Sequence, residues 1–181
     1  MDYLECLSGR RSVRKYKGDN IPRDVLERII TTASYAPSWK NSQTTRYIVV
    51  ENEELKTQLA QDCMMDFTHN QNIVTNAPAV ILVTTITNRS GYERDGSFST
   101  DLGTHWESFD AGIATQTLCL AAYAEGLGSV ILGIFDPVKV GGTVTIPESQ
   151  KLSAIVAIGY PDEFPDMPKR KSSDEIADYK T

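Results

Sequence analysis

The segment Glu107-Ser108-Phe109-Asp110-Ala111-Gly112-Ile113-Ala114-Thr115-Gln116-Thr117-Leu118-Cys119-Leu120-Ala121-Ala122-Tyr123-Ala124-Glu125-Gly126-Leu127-Gly128-Ser129-Val130-Ile131-Leu132 joins a helix to a strand. Ile113, Thr117, Leu120 and Ala121 fall on one side at helical spacing. Alanine and leucine occupy nearly every other face, which predicts a helix over about 107–124 that is buried almost all round. Gly126 and Gly128 stop it, and Ser129–Leu132 returns as a strand. Upstream, Pro78 precedes Ala79–Ile86, rich in β-branched residues and almost free of polar ones, as in a strand covered on both faces. Downstream, Leu152–Ile158 reads as another strand. Strand, helix and strand at these distances predict a sheet wrapped by helices, of the α/β or α+β class.

Further out, Val25, Leu26, Ile29, Ile30 and Ala33 form an apolar stripe on a helix from about Pro22 to Ser34. It stops before Pro37, because a residue preceding proline avoids the helical region. Tyr47–Val50 is a short buried strand and Glu53–Cys63 a charged helix. Residues 88–100 are polar and aperiodic, predicting a loop that is the most mobile element. Residues 161–181 hold three prolines and many charges. They are too polar for a core and read as either disordered or an arm laid over another surface.

The 181 residues suit one domain, with 40% hydrophobic and 23% charged residues and no internal repeat. A net charge of −6 and a pI near 4.9 disfavour sequence-independent binding of nucleic acid, which needs a phosphate-neutralising surface. Apolar runs such as Ala79–Val83 fall far short of the ~20 residues that span a bilayer. The first residues lack the basic and apolar regions of a signal peptide. Cys6, Cys63 and Cys119 are odd in number and lack a CxxC spacing, which predicts reduced thiols and a cytoplasmic protein.

Catalytic signatures are scarce. His69 and His105 are the two histidines, and neither sits in an HExxH or Cys/His cluster. There is no G-x-S-x-G and no P-loop, and Gly126-Leu127-Gly128 follows a helix instead of opening one. No metal site is predicted. Charge distribution is more informative. Between Cys6 and Gly18 there is no acidic residue, yet Arg10, Arg11, Arg14, Lys15 and Lys17 lie there. Lys169-Arg170-Lys171 forms a second basic island. The two islands are either solvated faces or an anion site, and Ser12 beside Arg10 and Arg11 suits one or two phosphates. Ala36-Pro37-Ser38-Trp39-Lys40-Asn41-Ser42-Gln43 is either a capped loop or a set of neutral donors and acceptors for a flat heteroaromatic edge. Asn70-Gln71-Asn72 carries the same ambiguity.

In order and spacing, these pieces resemble the nitroreductase family of FMN-dependent NAD(P)H oxidoreductases. The matching residues are Arg10-Arg11-Ser12-Val13-Arg14, Ala36-Pro37-Ser38 with Asn41-Ser42-Gln43, and Asn70-Gln71 before Ala77-Pro78. Asp110-Ala111-Gly112-Ile113-Ala114 with Gln116, Gly126-Leu127-Gly128-Ser129 and Phe135-Asp136 follow, then Ala157-Ile158-Gly159-Tyr160-Pro161 and Lys169-Arg170. The resemblance covers nearly the whole chain. It implies one α+β domain over 1–181, with a mostly antiparallel sheet flanked by helices. It also implies a domain-swapped homodimer that exchanges C-terminal arms, about 161–181, and holds two FMN sites at its interface.

By that resemblance, Arg10, Ser12 and Arg170 would hold the FMN phosphate, supported by Arg11 and Lys169. Arg14 and Asn70 would face the flavin's pyrimidine end. Pro37, Ser38, Trp39 and Asn41, with Gln43 nearby, would come from the other subunit. Ile131, Leu132 and Gly133 would back the ring. No catalytic side chain is implied, because the reaction belongs to the cofactor. NADH or NADPH would be the donor, and a small electron-poor acceptor such as a nitroaromatic or quinone would be reduced in a ping-pong cycle. An FMN-sequestering or redox-sensing protein is the alternative. Two departures bear on the substrate side. Thr44-Thr45-Arg46 stands where many members have Pro-Trp, and Trp39 replaces a commonly small residue. Trp39 is open to three uses: dimer anchor, flavin wall or substrate lid.

Overall fold

The computed structural model describes residues 2–180. Four strands form one antiparallel sheet in the order β1-β2-β4-β3: β1 (Thr45–Val50), β2 (Ala79–Ile86), β3 (Gly128–Leu132) and β4 (Gln150–Gly159). β2 and β4 form the centre, in register from Ala79 opposite Ile158 to Ile86 opposite Gln150, with one irregularity between Val83 and Thr84. All pairs of named strands are antiparallel, which settles the class as α+β.

Alternation along the central strands builds two cores. Val80 and Leu82 of β2, with Ile155 and Ala157 of β4, point into one core. There they meet α3 (Glu53–Cys63), α4 (Thr68–Asn76) and α6 (Pro137–Val144). Ala79, Ile81 and Val83, with Val156 and Ile158, point the other way, toward α2 (Arg23–Ala33) and α5 (His105–Ala124). A sheet buried on both faces needs the near-continuous apolar composition seen in β2. Each Ile, Leu or Val so covered contributes about 1.5–3 kcal/mol of transfer free energy.

α1 (Tyr3–Gly9) is capped by Asp2, whose carboxylate accepts the Glu5 N–H. It reaches the far end of α5, where Cys6 Sγ donates to Leu120 O at 3.4 Å. Beyond β4 the chain pairs briefly with the N-terminal segment, through Tyr16 opposite Pro161 and the Asp162 N–H to Lys15 O. From Asp166 to Lys180 every residue is exposed, including the short α7 (Ser173–Ile176).

Two expectations change. α5 is not buried all round within one chain: Phe109, Gly112 and Gln116 are exposed along one side of it. Residues 88–100 are not a loose polar loop but a set of tethered turns. Ser90 is fully buried and bonded to Asp110, Glu93 pairs with Lys40, and Tyr92 bridges Phe98.

Candidate active site

The basic N-terminal segment is laid along β3. The Val13 N–H donates to Ser129 O at 3.0 Å, and Ser12 forms a parallel bridge with Ser129. This close approach depends on two glycines that face each other across β3 and β4, Gly128 and Gly159. A Cβ on Gly128 would sit 2.7 Å from Val13, and one on Gly159 would sit 2.5 Å from Pro78 and 2.9 Å from Tyr16. The packing presents Arg10, Arg11, Ser12 and Arg14 beside the start of β3. The Nε atoms of Arg10 and Arg11 are buried with no protein partner, although buried polar groups are normally hydrogen-bonded. Among the described residues none of these three arginines forms an ion pair, whereas Arg28 on α2 pairs with Asp24 and Glu125. The Arg14 N–H donates to Glu163 Oε1 at 2.6 Å.

Asn70 is not in a loop. It lies buried on α4, where its Nδ2 donates to Ile134 O at 3.1 Å. The bond fastens α4 to the segment after β3. Ile131 is half exposed on the α5 side of the sheet, while Leu132 points into the opposite core. Gly133 is exposed, with open space where a side chain would go. Arg10, Arg11, Ser12, Arg14, Asn70 and residues 131–133 are therefore spread along β3, the basic segment at its start beside Ser129 and Asn70 beyond its last residue at Ile134.

Pro37, Ser38, Trp39, Asn41 and Gln43 form a second group around a 3₁₀ turn at Trp39–Asn41. Lys40, Asn41 and Gln43 all have positive φ, 46°, 54° and 48°. This conformation costs non-glycine residues on the order of 1 kcal/mol or more each and clusters at functional sites. Surrounding contacts hold the turn. Ser38 Oγ accepts the Gln43 N–H at 2.9 Å, and Asp110 accepts the Trp39 N–H from across the fold. The Trp39 ring packs on Trp106 with centroids 4.5 Å apart, and Trp106 meets Phe109 at 5.5 Å. Lys40 Nζ lies over the Trp39 ring and pairs with Glu93 at 2.8 Å. Lys40, with help from Ser99, holds the Glu93 carboxyl below its usual range. A cavity of about 160 Å³ beside the turn is lined by Ser38, Gln43, Tyr47 and Asp110 among others. Burial raises the Tyr47 phenol to about 12, so it stays protonated there.

The structure does not bring the groups together in one chain. Among the described residues no hydrogen bond joins the β3 group to the Trp39 turn. Lys169 and Arg170 stand apart on the exposed arm. Among the described residues no group of His, Cys, Asp and Glu is placed to hold a metal, and no helix is long and apolar enough to cross a membrane.

The nitroreductase family model matches residues 7–72 and 67–160, most of the chain. The chain belongs to the nitroreductase family. A protein of Methanothermobacter thermautotrophicus, provisionally named an NADH dehydrogenase/NAD(P)H nitroreductase, is 31% identical over 170 residues. The match spans 91% of this chain and 80% of that one. The NADPH-flavin oxidoreductase of Vibrio harveyi is 27% identical over 92% of this chain and 69% of its own length. The same fold is seen in a structure from Exiguobacterium sibiricum, provisionally called a nitroreductase and crystallised in complex with FMN. It superposes with a TM-score of 0.86 at 22% identity, over 99% of this chain and 98% of that one.

As a nitroreductase-family site, the β3 group suits a phosphate-bearing cofactor: guanidinium groups that form no ion pair among the described residues, two buried nitrogens without partners, and a serine hydroxyl, with Glu163 the one carboxylate hydrogen-bonded to the segment. Reading the sequence for sites missed the aromatic neighbours Trp106 and Phe109 and the anchors Ser90 and Asp110. The available signal was Asp110 itself, a carboxylate on a helix otherwise read as apolar.

Proposed function

We propose that this protein is an FMN-dependent oxidoreductase that uses NADH or NADPH to reduce an electron-poor small molecule, a nitroaromatic or a quinone. The observation that carries the reading is the pair Arg10 and Arg11, with buried Nε atoms that no protein group satisfies, beside the start of β3. Family membership and the flavin oxidoreductase among the relatives support it. Bound FMN would supply hydride transfer between donor and acceptor. The chain's part is to bind and orient. Arg10, Arg11 and Ser12, joined by Lys169 and Arg170 of an arm, hold the phosphate through charge-assisted hydrogen bonds. Arg14 and Asn70 meet the polar end of the ring system, and Ile131 and Gly133, with the backbone alone of Leu132, whose side chain is in the opposite core, back it. Donor and acceptor use one face in turn, which is a ping-pong order.

The site takes two chains. Pro37, Ser38, Trp39, Asn41 and Gln43 lie apart from the β3 group in one subunit, so a partner supplies them. The exposed stripe of Phe109, Gly112 and Gln116 on α5, and Phe164, Met167, Ile176 and Tyr179 on the arm, are the surfaces a second copy would cover. The test is anaerobic mixing of the flavin-loaded protein with NADH and with NADPH. Rapid bleaching of the yellow chromophore by at least one donor, and its return on adding a quinone, are expected. No bleaching with either donor would leave a flavin-binding protein without this activity.

A further inference from the structure

Asp110 is a carboxylate 2% exposed on α5. Among the described residues no cation lies within ion-pair distance of it. Isolated burial of a charge is costly, and hydrogen bonds must offset the lost hydration. Asp110 receives them from two separate segments. Its Oδ1 and Oδ2 lie 3.1 and 3.0 Å from the Trp39 N, and Oδ2 accepts the Ser90 hydroxyl at 2.6 Å. The Trp39 N–H is the first orphan donor of the strained 3₁₀ turn. Ser38, which precedes the turn, does not cap it, because its hydroxyl is taken by the Gln43 N–H. Asp110 thus does from a distant helix what a local capping side chain ordinarily does. Through Ser90 the same carboxylate holds the 88–100 turns, which reach back to Lys40 through Glu93.

We infer that Asp110 is a positioning residue for the flavin site. It holds the Trp39 turn in its left-handed conformation on rigid α5, and it fixes the 88–100 segment against that turn. This rests on the proposed function, in which the turn meets the cofactor ring of the partner's site. Two consequences separate the role from general stabilisation. The first is visible without cofactor: losing the carboxylate frees the turn and the 88–100 segment while the sheet and α5 stay protected. The second concerns the ring and not the phosphate, so FMN and riboflavin are affected alike.

The experiment compares wild type, Asp110→Ala, Asp110→Asn and Ser90→Ala as full-length chains. Hydrogen exchange is read on the FMN-free protein, and FMN and riboflavin affinities are read by titration. In Asp110→Ala, exchange should rise at residues 37–43 and 88–93 but not in β2 or β4. Both affinities should fall together by about tenfold, the loss of one charge-assisted hydrogen bond. Asp110→Asn keeps an acceptor for the Trp39 N–H and should restore protection at 37–43 and most of the affinity. Ser90→Ala should free 88–93 and leave 37–43 protected. If the turn is freed while both affinities hold, or if exchange at 37–43 does not change, the inference is overturned. Should Asp110→Ala fail to fold, Asp110→Asn and Ser90→Ala still decide it, since the first must protect 37–43 and the second must free 88–93 alone. A wild-type protein that binds neither flavin would instead overturn the proposed function, before any variant is compared.

Discussion

Arg10 and Arg11 are near Arg28 in charge and far from it in circumstance. Arg28 spends its guanidinium on Asp24 and Glu125, while Arg10 and Arg11 keep buried nitrogens with no partner. Arg10→Ala or Arg170→Ala should each weaken FMN binding by about 1.5–3 kcal/mol, the range of hydrogen bonds to charged groups. Riboflavin, lacking the phosphate, should lose far less, and parallel titrations check this. Equal losses would assign these arginines to the fold. Trp39 is less simple. Its packing on Trp106, with ring planes tilted by 46°, fixes it within its own chain, so as a substrate lid it would narrow the acceptor cavity without swinging. Trp39→Ala should keep bound FMN and the rate of reduction by the nicotinamide donor. It should lower kcat/KM for small planar acceptors and hold or raise it for bulky ones, because only differential transition-state binding discriminates between substrates. Steady-state kinetics with a small and a bulky quinone read the difference; an unchanged profile would remove the residue from the acceptor side. The basic residues were legible in the sequence because they lie in a stretch free of carboxylates. The Asp110 anchor was not, because its partners at positions 39 and 90 are distant and one of them is a backbone N–H.

Gly128 shows what local patterns reveal and what they hide. The Gly126-Leu127-Gly128 triplet reads as a helix stop, and Gly126 does follow α5 with a φ of +81°. Gly128 has a different task, making room for Val13. Gly128→Ala should cost about 1–3 kcal/mol of stability, typical of overpacking. By pushing Arg10–Arg14 off β3 it should also weaken FMN binding. Denaturant titration and flavin titration of the variant measure the two effects, and undiminished FMN affinity would contradict the link. Long periodic elements were readable: the helix at 53–63 and the strand at 79–86 fall on their predicted residues. Short ones were not. α1 has its capping signal in Asp2 and Glu5, but seven residues are too few to show a period. α6 has Asp136 and Pro137 at its start, yet Gly141 and Gly142 near its end argue against a helix. α4 follows Met65 and Asp66, both at positive φ, and its polar face around Asn70 resembles a loop in composition.

The architecture was legible because β2 is apolar on both faces, which demands helices on both sides of the sheet. What one chain could not show is why α5 is so apolar. Its buried side meets α2 and the sheet, and the other side, at Phe109, Gly112 and Gln116, stays exposed together with the residues of the arm. A second copy would cover these faces, bring the Trp39 turn of one chain to the β3 group of the other, and give the basic arm a phosphate to hold. Each step of the functional account depends on that assembly. Sedimentation velocity of the purified protein, followed at the flavin absorption band and at 280 nm, measures it directly. The account predicts that both signals move together as one species of about 40 kDa, twice the 20.0 kDa of a chain, with one FMN per chain at micromolar concentration. A stable flavin-loaded species of 20 kDa, or a dimer that carries no flavin after incubation with FMN, would contradict it.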